Sequence, residues 1–358
     1  MALHVYVGTF TSPSRNGRGE GIYVFEMDET SGELRHVQTL EGVENPSFLA
    51  LHPNRRLLFC NNADPEGGVS AFAIDDATAR LRFLNRQSSG GVSPAHVSVH
   101  PGGRWVFGAN YGSGSVCVLP LQEDGRLGPA TDLVQHEGPG GPVQGRQDGP
   151  HAHQIVPTAD GRFVLANDLG LDRTYVYRPD TILGKLVPDD PPFARAPAGS
   201  GPRHLAFHPS GKYVYVLGEL DSTAAAFAWD GLRGTMTPLQ IVSTLPSGQD
   251  GGNSTAQVVA HPNGRFLYAS NRGHDSIALF AIDSAEGRLT ALGHVPTGGE
   301  TPRNFNLDPS ARFLYAANQD SDTIVAFRIE DNGGRLEPTG HVARAGSPVC
   351  VVFRPAVG

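Results

Sequence analysis

Short apolar runs follow one another along the whole chain, each cut off by Gly, Pro, Asn or Asp. Runs of four to eight residues, rich in β-branched and aromatic side chains, predict strands. The runs recur in phase. A turn and the strand after it read "HPNRRLLFCNN" at His52, "HPGGRWVFGAN" at His100 and "VPTADGRFVLAND" at Val156. The unit continues as "HPSGKYVYVLGE" at His208, "HPNGRFLYASN" at His261 and "DPSARFLYAAN" at Asp308. A shortened copy, "FRPAVG", ends the chain. Alignment on Pro53, Pro101, Pro157, Pro209, Pro262, Pro309 and Pro355 gives a period of about 50 residues, the signature of a repeat architecture.

Each period carries three further strands. One precedes the turn ("PSFLALHP", "PRHLAFHP"), one follows ("GGVSAFAID", "DSIALFAID"), and a "GRL"-type turn opens the last. Four strands per period form one β-propeller blade. Seven copies predict an all-β, seven-bladed propeller of four-stranded antiparallel blades, as a single domain over residues 1–358. One blade is shared by the chain ends. "PVCVVFRP" supplies its inner strand, and "LHVYVGTF", "GIYVFEMD" and "GELRHVQTL" the rest. Closure of this kind leaves no sheet edge free.

With strands lettered A to D from the axis outward, the start of A and the end of B share one face. The "HP" turns lie on the other face and vary little. His52, His100, His208 and His261 therefore read as turn residues. The first face varies. Just inside strand A stand Ser47, Ala95, His151, Arg203, Ala256, Arg303 and Val349 in turn. The next positions are Phe48, His96, Ala152, His204, Gln257, Asn304 and Cys350. The ends of strand B add Asp168, Glu219 and Arg272. Function in such folds lies in loops and strand ends.

This mouth holds the candidate chemistry. His151, Glu219, Arg203 and Arg272 are the expected catalytic residues. His153, His204, Arg303, Asp168, His96 and Asn304 are the expected substrate contacts. Guanidinium forks suit a carboxylate or phosphate, so a small anionic substrate is expected. A His beside a Glu can move protons near neutral pH. His151 and His153 lie two apart and would share a strand face. His151 ranks first because it holds the repeat position of Arg203 and Arg303. Plainer readings stand beside these: Arg203–Glu219 as a salt bridge, and His153 and His204 as structural histidines. Two long runs on this face, residues 136–149 and 245–254, exceed ordinary loops and could cover a ligand.

Composition narrows the partners. Gly (45) and Pro (28) supply the turns, and the formal charge of −8 argues against nucleic acid or an anionic membrane. Cys60, Cys117 and Cys350 share no short spacing, which suggests reduced thiols. No third ligand stands at diagnostic spacing from His151 and His153, so no metal is expected. No Gly-rich phosphate loop or nucleophile elbow occurs, and no cofactor is expected. The N-terminus shows no secretory pattern, and no apolar run approaches the roughly 20 residues of a membrane span, so a cytoplasmic protein is expected.

The opening "YVGTFT" and the segments "GPHAHQ", "ANDLGLDR", "GPRHLAFHP", "GELDST" and "SNRGHDSI" resemble the β-propeller lactonase family along essentially the whole chain. That family contains propeller-type 6-phosphogluconolactonases and fungal carboxy-cis,cis-muconate lactonizing enzymes. The cyclase branch uses a His, two Arg and a Glu at the mouth. By position the resemblance implies His151 (or His153), Arg203, Arg272 and Glu219 here. It implies hydrolysis of a sugar-acid lactone, foremost 6-phosphogluconolactone to 6-phosphogluconate. The alternatives are a carboxymuconate-type cycloisomerase and a non-catalytic propeller that binds a small anion or a protein.

Overall fold

Burial peaks in the second strand from the axis and is lowest in the outermost. Phe313–Asn318, FLYAAN, is buried at every residue, because it is flanked by strands in its own sheet and packed by blades on both sides. Outer strands such as Leu336–Arg344 alternate towards exposed positions, because one face meets solvent. The computed structural model describes residues 3–249 and 252–355. These residues form twenty-eight strands in seven four-stranded antiparallel sheets. The expected loop at 245–254 includes residues 250 and 251, and the last repeat copy includes 356–358. Those five residues, like residues 1 and 2, lie outside the described ones. Among the described residues no helix is long and apolar enough to cross a membrane.

Blades 1 to 6 are residues 46–88, 94–135, 152–195, 202–243, 254–296 and 302–344. The seventh sheet runs Pro348–Arg354, Leu3–Thr9, Gly21–Met27, Leu34–Glu41, so both chain ends share one blade. Inner strands touch their neighbours all the way round. Seven apolar clusters fill the seven gaps between blades.

The invariant turns fasten blade to blade. The Nε2 atoms of His52, His100 and His208 meet the carbonyls of Gly103, Gly161 and Gly264 in the next blade at 2.9, 3.1 and 2.8 Å. Strand B adds a tyrosine. The hydroxyls of Tyr6, Tyr215, Tyr268 and Tyr315 donate to the carbonyls of Ala79, Gly287, Gly334 and Gly32 in the following blade.

Blade 3 departs from the proline alignment by two residues. Its turn is closed by Thr158 N to Phe163 O, as His208 N to Tyr213 O closes blade 4. "TADGR" thus matches "HPNGR", and Pro157 is not the counterpart of Pro209. Ala152 pairs with Asp168 as Pro302 pairs with Asn318. His153, not His151, therefore occupies the position of Arg203 and Arg303.

Candidate active site

Every strand A is irregular where it enters the ring. The register slips at Ser47, Ala95, His153 and Arg303, and over Arg203–His204 and Ala256–Gln257. In the closing blade it slips at Val349. A bulge places an extra residue against its partner strand and re-aims that side chain. The re-aimed residues surround the axis. Ser47, Ala95, His153, Arg203, Arg303 and Val349 all line a cavity of about 280 Å³. Phe48, His204, Glu219, Ser254 and Arg272 line it too, as do Phe10, Arg15, Ala63, Tyr111 and Arg146 from the mouth loops.

Glu219 is the one acidic side chain in that lining, and it is 5% exposed. Its Oε2 lies 2.7 Å from Arg203 Nε and 3.2 Å from Arg272 Nη2. Its Oε1 accepts from Arg146. Burial alone would raise the Glu219 carboxyl, but Arg272, Arg203 and Arg146 outweigh it and hold the group well below the usual range. Backbone carbonyls fix two of these arginines: Arg203 donates to Ala256 O, and Arg272 to Thr255 O at 2.6 Å. The Arg203–Glu219 salt bridge read from the sequence is present, inside the cavity.

The cavity histidines are neutral. Burial, then Arg203, Arg303 and Arg272, hold His153 well below its ordinary value. Burial, then Arg203, do the same for His204. His204 Nδ1 meets Gln257 Oε1 at 2.5 Å. An amide oxygen only accepts, so that nitrogen carries the proton and Nε2 holds a lone pair. His204 Nε2 and His153 Nδ1 are buried without hydrogen-bond partners.

Four expected site residues stand outside the lining. His151 precedes the strand Ala152–Pro157, at the position that Gly201 holds in blade 4, and does not reach the lining. Its Nδ1 donates to Tyr111 O at 2.8 Å and its ring stacks on Tyr111 at 4.6 Å. Tyr111 in turn meets the His153 ring edge-on at 5.6 Å. Asp168 is committed elsewhere. Its Oδ2 lies 2.7 Å from His136 Nδ1, and its Oδ1 accepts from the His151 and Leu171 amides. His96 packs under the cavity against Phe48 at 4.1 Å. Asn304 accepts from Val351 N in the closing blade. The cavity does bring together Glu219, Arg203, Arg272, His153, His204 and Arg303.

Arg15 and Arg146 were not expected. Arg146 sits in the long run 136–149, whose Gln147 anchors to Leu169 O and Asp172 Oδ1, both at 2.8 Å. Arg15 ends a short 3-10 turn, Pro13–Arg15. The signal was an arginine within a Gly-, Pro- or Ser-rich loop opening on the variable face. Among the described residues, no three His, Cys, Asp or Glu side chains gather as a metal site.

The family model described as lactonase, 7-bladed beta-propeller, matches residues 4–353. A Bacillus subtilis protein named 6-phosphogluconolactonase is 38% identical over 301 residues, 84% of this chain and 83% of that protein. A Formosa agariphila protein of the same name is 34% identical over 307 residues, covering 84% and 85%. The solved structure of a periplasmic gluconolactonase from Pseudomonas aeruginosa is similar with a TM-score of 0.92 at 32% identity, covering 100% of both chains.

Proposed function

From the premise that this chain belongs to the lactonase family of seven-bladed β-propellers, we infer that it hydrolyses a sugar-acid lactone, 6-phosphogluconolactone foremost. A lactone needs a nucleophilic water and a place for the developing oxyanion. The observation that carries the reading is one cavity holding both: a buried neutral histidine and cations fixed by a carboxylate.

His153 is the base. Its neutral ring, in the cavity lining, takes a proton from water as the water oxygen bonds to the lactone carbonyl carbon. The carbonyl electron pair moves onto oxygen, opposite Arg203 and Arg272. The oxyanion then collapses and breaks the bond from carbon to ring oxygen. That oxygen takes the proton back from His153, and the free acid ionises. Glu219 holds the arginines in position, and both of its oxygens are engaged by guanidiniums.

The test is hydrolysis above the spontaneous rate. Purified protein is assayed with 6-phosphogluconolactone and with 3-carboxymuconate. Acceleration of the first and none of the second supports a hydrolase. Lactonization of the second without hydrolysis of the first would instead make the protein a cycloisomerase.

A further inference from the structure

Relatives of this chain are named for two substrates, one carrying a phosphate and one not. We propose that Arg15 and Arg303, gathered on the Phe10 ring, form a phosphate clamp that selects the phosphorylated lactone over the free sugar lactone. This rests on the reading of the cavity as a lactone hydrolase.

The charges in the cavity divide into two groups. Arg146, Arg203 and Arg272 share Glu219. Arg15 and Arg303 have no carboxylate within ion-pair distance among the described residues. Instead their guanidinium carbons lie 5.8 and 5.2 Å from the Phe10 centroid. A ring face attracts a cation but does not neutralise it. Arg303 is part-buried in the lining; burial and Arg272 push it down to about 10, Glu219 acts against them from beyond ion-pair distance, and Arg15 adds to the repulsion. Two cations without an ion-pair partner, side by side in one cavity, call for an anion. A phosphate monoester carries nearly two negative charges at neutral pH and offers three oxygens to guanidinium forks. The free lactone carries no charge and would leave both arginines uncompensated.

The clamp is held in place from behind. Phe10 packs with Ala63 and Val349 where the closing blade meets blade 1. Asn45 ties the Arg15 loop down: its Oδ1 accepts from Thr11 N and Ser12 N, and its Nδ2 donates to Ser12 Oγ. The clamp and the reacting centre also come from different blades, with Arg303 the member near enough to His153 to lower it. Arg15 and Phe10 belong to the closing blade and Arg303 to blade 6, while His153 and Glu219 belong to blades 3 and 4. In the substrate the phosphate-bearing arm and the carbonyl lie on either side of the ring oxygen. Two distinct subsites within one cavity match that arrangement.

The experiment compares kcat/KM for 6-phosphogluconolactone with that for glucono-δ-lactone in wild type, Arg15→Gln, Arg303→Gln and Arg146→Gln. The ratio should fall by on the order of 10- to 100-fold in the first two variants. Arg146→Gln, which loosens Glu219 instead, should lower both substrates together and keep the ratio. An unchanged ratio in Arg15→Gln and Arg303→Gln overturns the clamp. Calorimetry reads the clamp without turnover, using 6-phosphogluconate and gluconate. Tighter binding of the phosphorylated acid, lost in Arg15→Gln, supports it even if neither lactone is hydrolysed. Equal affinity of wild type and Arg15→Gln for 6-phosphogluconate overturns it.

Discussion

His153 lines the cavity, where burial and then three arginines keep its ring neutral. His151, two residues earlier, has its Nδ1 bonded to Tyr111 O and only supports the Tyr111 ring. His153→Ala should therefore lower kcat by about 10²- to 10⁴-fold. His151→Ala should act through Tyr111 and cost less. Turnover of both variants, with melting curves to confirm folding, decides the order; greater loss in His151→Ala would reverse it. The sequence showed the residue types at the mouth, and six of the ten expected side chains meet there. It misread the register of these two histidines because Pro157 resembles a turn proline and is not one. Arg15 and Arg146 stayed hidden for another reason. Their reach depends on how a long loop folds over the ring, which no strand period encodes.

The strand is the element that the sequence predicts best here, because its period is written seven times. Blade count, strand order and closure by Leu3–Thr9 beside Pro348–Arg354 all follow from phase. Bulges do not. A bulge is two residues opposing one on the next strand, so it is a property of a pairing and not of either segment. The repeat phase placed Ser47, Ala95, Arg203, Arg303 and Val349 at one position of the mouth, but the bulge that aims them at the cavity, with His153 in place of His151, appears only in three dimensions. The fasteners between blades lie between these cases. Tyrosine recurs at one place in strand B, but its partner carbonyl is a blade away. Tyr268 is fully buried and donates to Gly334 O at 2.7 Å. Tyr268→Phe keeps the ring and strands that carbonyl, so unfolding in urea should require about 1–3 kcal/mol less. A stability equal to wild type would show that the apolar packing between blades 5 and 6 suffices without the hydrogen bond.

At the scale of the whole molecule, a chain of net charge −8 surrounds a cavity lined by five arginines and one glutamate. That inversion needs buried histidines that stay neutral, and it makes the fold sensitive to acid. Burial, then Arg203, lower His96 to about 3, and burial with the same arginine holds His153 and His204 well below the ordinary value. An unfolded histidine takes up its proton near pH 6.5. Between that pH and the lowered folded value, the unfolded chain holds the extra proton, so stability falls as pH falls. Each such histidine contributes a slope of about 1.4 kcal/mol per pH unit in that window. Glu219 acts in the same direction at lower pH. Its folded carboxyl is held down by three arginines, so its contribution is present above the unfolded value of roughly 4.3 and lost as pH falls towards the folded one. His96 can be replaced without altering the lining, since it packs against Phe48 and His204 and does not line the cavity. His96→Phe retains an aromatic ring of similar size and cannot titrate. Unfolding free energies measured from pH 7 to pH 4 should decline less steeply in this variant, by the slope of one proton. Its stability relative to wild type should therefore improve steadily as the solution is acidified. Parallel curves for the two proteins would mean that His96 is already protonated in the folded state, and that acid acts on the fold through other groups.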